Sequence, residues 1–353
     1  MDSFILTGIQ QVGVGVSDVV KAFDFYRTHL GFDIRVFDEA AEANLMIPYT
    51  GGKPHKRRAI LAINLNGGGG LEIWQYTSRT PQPPAFTPQL GDLGIFVAKL
   101  KTYDIQKSHS ILKEKKVHTS EIFVHPAGFQ HFYFQDAFGN YFEMMEAQDF
   151  FQKEKYPNGG INGAIIGVSN LQQSIDFYKK ILGFDKIIYL SENDQEFDDL
   201  SFFGKNKIYK RVLLTWSKQE TAGFAALFGQ PYIELVEWAN GTPRKIYQNR
   251  FWGDLGFIHL CFDVRNMSSL KKHCQKYNAP FTVDSGEKFS MGDAAGHFAY
   301  IEDPDGTLIE FVETKKVPIL KKLNWYWKFS PNDIQKPVPK WMIKAFRFNR
   351  VRS

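Results

Sequence analysis

Cysteine is almost absent from this chain: two in 353 residues, Cys261 and Cys274, neither in a metal or redox spacing. A disulfide framework and a zinc-finger motif are thereby excluded, and a reducing cytoplasm is the expected location. No apolar run approaches the roughly 20 residues that cross a bilayer. The opening stretch MDSFILTGIQQ lacks a basic segment followed by an apolar one, so no secretory signal is expected. The body also lacks an excess of positive charge. The net charge is +5, yet residues 315–353 hold eight Lys, three Arg and one Asp, which leaves residues 1–313 at −5. Nucleic acid is not an expected partner, because the basic character belongs to a tail. That tail interleaves aromatics with its charges, which suits a membrane surface or RNA. A wrap that packs its aromatics on the body and solvates its lysines suits it as well, and is favoured.

Aromatics are abundant, with 32 Phe, and the length allows two domains with sizeable cores. The chain also repeats itself. SDVVKAFDFYRTHLGFD (17–33) and SNLQQSIDFYKKILGFD (169–185) agree at eight of seventeen positions. Each begins with capping residues, carries apolar side chains at helical spacing and stops at a glycine, Gly31 or Gly183. A short strand precedes each, QVGVGV or GAIIGV. A second pair, FYFQDAFGNYFEMME (132–146) and FAYIEDPDGTLIEFVE (298–313), matches at a turn and the strand after it. LGDLGIFVAKL (90–100) and LGFIHLCFDV (255–264) stand ahead of that pair. Four similar units follow, at 7–80, 90–147, 161–240 and 252–313. The expected domains are 1–149 and 161–313, with a polar linker at 150–160 and an extension at 314–353. The predicted class is α+β with mixed sheets, four βαβββ modules in two tandem halves.

Within the last unit, TLIEFVE reads as a strand with Leu308, Glu310 and Val312 on one face. A lone carboxylate on an apolar face is costly unless a partner meets it. The pattern of a strand, then SD…DFY…LGF, a later LEI strand and a closing DPDG..IE resembles the vicinal oxygen chelate superfamily. Glyoxalase I, extradiol dioxygenases and bleomycin-resistance proteins belong to it. The resemblance covers residues 7–313 and implies the glyoxalase/bleomycin resistance/dihydroxybiphenyl dioxygenase fold. Two modules then enclose one site, each offering a ligand from its first and its last strand. In chain order those positions are Gln11 and Glu72, Gly94 and Glu143, Gly163 and Glu234, and His259 and Glu310. Pairing of adjacent modules leaves two incomplete sets. Pairing of the first module with the fourth gives Gln11, Glu72, His259 and Glu310, and leaves the second and third without neutral ligands. The complete set is similar to the ligand constellation of some glyoxalase I enzymes.

This resemblance implies one divalent metal ion, Zn, Ni, Co or Mn ahead of Fe, bound to two vicinal oxygens of a small-molecule substrate. Glu310 is the implied base, with Glu72 opposite it. Trp74 and Tyr76, on the face of Glu72, are candidate substrate walls, and Gly13 and Gly15 would leave the bowl above Gln11 open. Glu143 and Glu234 read as structural acids, and His125, His131 and His297 as surface or turn residues. Positions that hold glutathione in related enzymes are Gly15, Tyr76 and Leu255 here, so isomerase or lyase chemistry on a more apolar substrate is expected. Two alternatives remain: an Fe(II) dioxygenase of the 4-hydroxyphenylpyruvate or extradiol type, and a non-catalytic resistance protein. Monomer and homodimer are both compatible, since the chain assembles a whole site by itself.

Overall fold

The computed structural model describes residues 3–287, 289–291, 294–320, 325–329 and 334–351. The first module runs β1 (Ile5–Gly15), α1 (Val19–Phe25), β2 (Ile34–Glu42), β3 (Lys56–Ile63) and β4 (Gly70–Tyr76). Its helix starts where Asp18 accepts from the amides of Val20 and Lys21, and its last turn widens through Tyr26–Leu30 until Gly31 stops it at φ 83°. The second module has β5 (Gly94–Thr102), α2 (Ile105–Glu114), β6 (His118–Thr119), β7 (Phe123–Val124), β8 (Gln130–Gln135) and β9 (Tyr141–Glu146). The third has β10 (Asn158–Val168), α3 (Leu171–Leu182), β11 (Lys186–Leu190), β12 (Tyr209–Thr215), α4 (Ala225–Phe228) and β13 (Tyr232–Trp238). Asn170 caps α3 and Gly183 ends it at φ 73°. The fourth has β14 (Gly256–Arg265), α5 (Met267–Lys276), β15 (Val283–Asp284), β16 (Phe289–Met291), β17 (Ala294–Glu302) and β18 (Leu308–Leu320); β19 (Trp325–Lys328) and α6 (Lys340–Ala345) follow.

These strands make two curled sheets, and neither is built from one half of the chain. One has the order β15-β17-β18-β14-β1-β4-β3-β2 and joins the fourth module to the first. The other, β11-β12-β13-β10-β5-β9-β8-β6, joins the third to the second. The seam of the first sheet is the antiparallel pair β1 and β14, where Gly13 lies opposite His259 and Gln11 opposite Cys261. Alternation does the rest. Val12, Val14, Leu260 and Phe262 point into a core that both sheets share with the helices, while the residues between them face a cup.

The repeated DFY and aspartate-turn motifs hold each half together across the two sheets. Tyr26, buried on α1's last turn, donates to Asp136 at 2.6 Å, and its repeat counterpart Tyr178 donates to Asp303 at 3.1 Å. Each aspartate also accepts amides of its own turn, Phe138 and Asn140 in one case, Asp305 and Thr307 in the other. The repeated motif is therefore a structural pin between modules one and two, and between three and four.

Strand β18 continues past Glu313 into the segment read as an extension. Beyond it, Met342, Ile343 and Phe346 are buried with Ile34, Ile63 and Phe228 in a second apolar cluster. Arg350 ties the segment down through Glu154 at 2.7 Å and Asp33 at 3.2 Å. Trp341 and Phe348 stay exposed. Met342→Ala removes a side chain that is 1% exposed and should lower unfolding stability by roughly 2–5 kcal/mol. Urea denaturation of the full chain checks this, and a change below 1 kcal/mol would show the segment to be peripheral.

Candidate metal centre

Gln11 comes from β1, Glu72 from β4, His259 from β14 and Glu310 from β18, the four central strands of one sheet. Parallel pairing sets each acid beside its module's first strand: Glu72 is level with Gly13, and Glu310 with Cys261. Gln11 and His259 sit two residues earlier, so all four side chains enter one cup. His259 Nε2 lies 3.1 Å from Glu310 Oε2 and 3.4 Å from Glu72 Oε2. Gln11 Nε2 donates to the same two oxygens, at 3.4 Å each. All four residues are buried, and one ligand atom of each acid and of His259 falls within 4.8 Å of the other two.

The polar atoms of this cluster are incompletely satisfied. Gln11 Oε1 and His259 Nε2 are buried without a hydrogen-bond partner among the described residues, although Nε2 faces both acids. Turning the Gln11 amide about its last bond presents Oε1 to the same point. An amide oxygen, an imidazole nitrogen and two carboxylates aimed at one spot fit a divalent cation of borderline character. Burial disfavours the imidazolium of His259, but Glu310 and Glu72 outweigh it and raise its pKa to about 9. Tyr300, on β17 beside Glu310, sets its hydroxyl 3.5 Å from His259 Nδ1 and orients the ring from behind.

Gly13 and Gly15 do not leave open space, as the sequence suggested. A Cβ at Gly13 would come within 2.4 Å of the His259 ring, and one at Gly15 within 2.0 Å of the Asp254 carbonyl. Glycine lets the imidazole lie flat across the seam. The open space lies beside it: a cavity of about 430 Å³ whose lining includes Gln11, Glu72, Glu310, Trp74, Trp252 and Tyr300. Trp252 stacks along His259 with ring centroids 6.2 Å apart. Tyr76 is not part of that lining; it stands behind Trp74, and its hydroxyl donates to the Trp252 carbonyl. Tyr300 was legible in principle, since alternation from Phe298 puts it on the cup face, whereas Trp252 comes from a loop that no periodicity marks.

The second cup repeats the two acids and answers them differently. Lys99 is level with Glu143, and its Nζ bridges Glu143 and Glu234, the latter at 2.5 Å. Arg211 joins Glu234 to Asp199, with the Asp199 contact at 2.7 Å. Burial raises the Glu234 carboxyl, but Arg211 and Lys99 prevail and hold it well below the usual carboxylate range. Burial lowers the His131 imidazole, but Asp199 and Glu143 prevail and favour its protonated form. His131 Nδ1 lies 2.9 Å from Glu143, and His125 Nε2 lies 3.5 Å from Glu234. Both histidines are buried rather than on the surface; His131 lies on β8, while His125 does open a turn, its carbonyl accepting from the Gly128 amide at 2.7 Å. His297, also buried, contacts Asp284 at 2.6 Å and lines the first cavity. The register also corrects one position: two residues before Lys99 stands Val97, not Gly94, while Gly163 does occupy the matching place in β10.

Two curled sheets made of four βαβββ modules, with an acid at the same point of every module, define the class of fold. The family model described as Glyoxalase/Bleomycin resistance protein/Dioxygenase superfamily matches residues 8–144 and 160–311, and the chain belongs to that superfamily. A lactoylglutathione lyase of Pseudomonas putida is 23% identical over 158 residues, 43% of this chain and 83% of its own. A putative dioxygenase from Bacillus subtilis subsp. subtilis str. 168 superposes with a TM-score of 0.58 at 14% identity, covering 98% of this chain and 97% of that one. Glyoxalase I from Zea mays gives 0.53 at 13% identity, covering 88% and 92%.

Two measurements probe these cups. Lys99→Met leaves two buried acids without their bridging cation and should cost roughly 3–5 kcal/mol in urea denaturation at pH 7; an unchanged midpoint would refute the bridge. In metal-free protein His259 is a raised base. Its charged form stabilises the fold fully below about pH 6.5, and that stabilisation is lost as pH rises through about 9. Stability with chelator present should fall by roughly 3 kcal/mol across that window, and His259→Gln should flatten the fall.

Proposed function

We propose that the first cup binds one divalent metal ion through Gln11, Glu72, His259 and Glu310, and that the protein is a metal-dependent isomerase or lyase of the glyoxalase type. The observation that carries this reading is the convergence of two buried acids with the His259 imidazole nitrogen and the Gln11 side-chain amide, whose oxygen has no hydrogen-bond partner among the described residues. The ion would be Zn, Ni, Co or Mn, and when bound it would supply Lewis acidity to two adjacent oxygens of the substrate. Two histidines with one carboxylate, the donor set of Fe(II) oxygenases, do not match this cup.

The remaining chemistry falls to the chain itself. Glu310 is the group that takes a proton from the carbon beside a carbonyl and returns it to the neighbouring carbon, which moves a hydrogen without net oxidation. Glu72, across the cup, holds the counter-position. Trp74, Trp252 and Tyr300 wall the reacting end from water, which strengthens the electrostatics inside. Glutathione is a poor match as carrier. Gly15 is packed against Asp254, Tyr76 is turned to Trp252, and Arg57, the arginine of the cavity lining, is engaged by Glu39 at 3.1 Å.

Protein purified without chelator should carry one equivalent of Zn, Ni, Co or Mn per chain by elemental analysis, and Glu310→Ala should lose it. Two equivalents would refute the division between the cups. Tightly held iron with oxygen uptake would assign the dioxygenase alternative, and a metal-free protein that still binds ligands would assign the resistance one.

A further inference from the structure

The first cavity is much larger than two chelating oxygens require, and its composition changes away from the acids. One wall is Val36, Leu61 and Ile63 on the cup faces of β2 and β3. Facing it are Phe224, Leu227 and Phe228, contributed by the third module between β12 and β13 and held against β1 because Gly8 has no side chain: a Cβ there would lie 2.5 Å from that of Phe228. Phe346 adds a further wall from the C-terminal segment, its ring 6.4 Å from that of Phe224. These aromatics belong to the buried cluster of Met342 and Ile343, so this part of the cavity is backed by packed core. Exposed Glu42, Asn44 and Leu45 form a rim elsewhere. Arg57, the arginine on the lining, is spent on the Glu39 side chain and backbone carbonyl.

Such a wall recognises hydrocarbon. A second polar or charged group placed along it would lose its water without gaining a partner. We propose that the substrate is an amphiphile, with two vicinal oxygens at the acids and an apolar tail along Phe224, Leu227 and Phe228, and that Phe346 sets the length of tail accepted. The headgroup rests on the metal reading above; the tail rests on the cavity alone. The C-terminal segment thereby acquires a function that its composition hides, since one of its aromatics lines the cavity while, among its described cations, Lys336, Lys340, Lys344 and Arg347 are exposed and Lys315 and Arg350 pair with acids.

The probe is a series of straight-chain alkyl hydroxamic acids, from acetohydroxamic to dodecanohydroxamic acid, titrated calorimetrically into the zinc-loaded full-length protein. Affinity should tighten about fourfold per methylene, the increment for full burial, up to a break where the chain meets Phe346. Phe346→Ala should move the break to longer chains with zinc content unchanged. Phe346→Leu, which disturbs the core less, should move it in the same direction by less. Affinity independent of chain length, or a break at one length in all three proteins, would overturn the proposal. Absence of zinc binding, or of acetohydroxamic acid binding, would instead overturn the metal reading. The tail is then read by itself with 1-alkanols on zinc-free protein, followed by tryptophan emission, where the same lengthening in Phe346→Ala is expected and its absence is fatal.

Discussion

Residues from opposite ends of the chain meet along the seam between β1 and β14, and the first cup depends on that pairing. Backbone hydrogen bonds set its register, and the register puts Gly13 under the imidazole of His259. A side chain at Gly13 would push the ring off the point where Glu72 and Glu310 converge. The seam also sets up the acids indirectly, because each lies on a strand that pairs in parallel with one of the two seam strands. Positioning within a fraction of an ångström comes from strands whose opposite faces are locked in the core.

The two cups show two answers to one electrostatic problem. A pair of acids buried face to face requires a cation, because neither the desolvation of each nor their repulsion is otherwise offset. In the second cup the chain supplies that cation from within, as the ammonium of Lys99 with Arg211 behind it. The counterparts of Lys99 in the first cup are Gly13 and Cys261, neither of which carries positive charge, and the Gln11 amide and His259 imidazole face the two acids there. One sheet thus satisfies its acids with a fixed charge and becomes framework, while the other meets them with the titratable imidazole of His259, at the place where the proposed metal ion would bind.

On the proposed reading, substrate choice is separated in space from the chemistry. The acids and the residues that orient them lie on strands of modules one and four. The apolar walls come from the inner strands of module one, from an insertion in module three and from the C-terminal segment. Elements of the second kind tolerate change without disturbing the ligand geometry, which is the usual way one fold serves several substrates. The Tyr26–Asp136 and Tyr178–Asp303 pins hold the two sheets in step while such segments vary.

Local patterns were legible from the residues themselves. Periodicity and repetition marked the four modules, Asp18, Asn170, Gly31 and Gly183 marked the helix ends, and the lone acid on an apolar strand marked Glu310, while Glu72 was reached through the family resemblance. Such features depend on neighbours within a few positions. The filling of the second cup was not legible, because Lys99 reads as one more charged residue until pairing sets it between Glu143 and Glu234. His125 and His131 looked like turn residues for the same reason, and Trp252, Phe228 and Phe346 reach the cavity from segments with no period at all. The amino-acid order by itself determined which strands and helices form and which side chains share a face. Only the tertiary structure decided which faces meet, because burial free energy is gained on contact between segments hundreds of residues apart and depends on shape and charge at that contact.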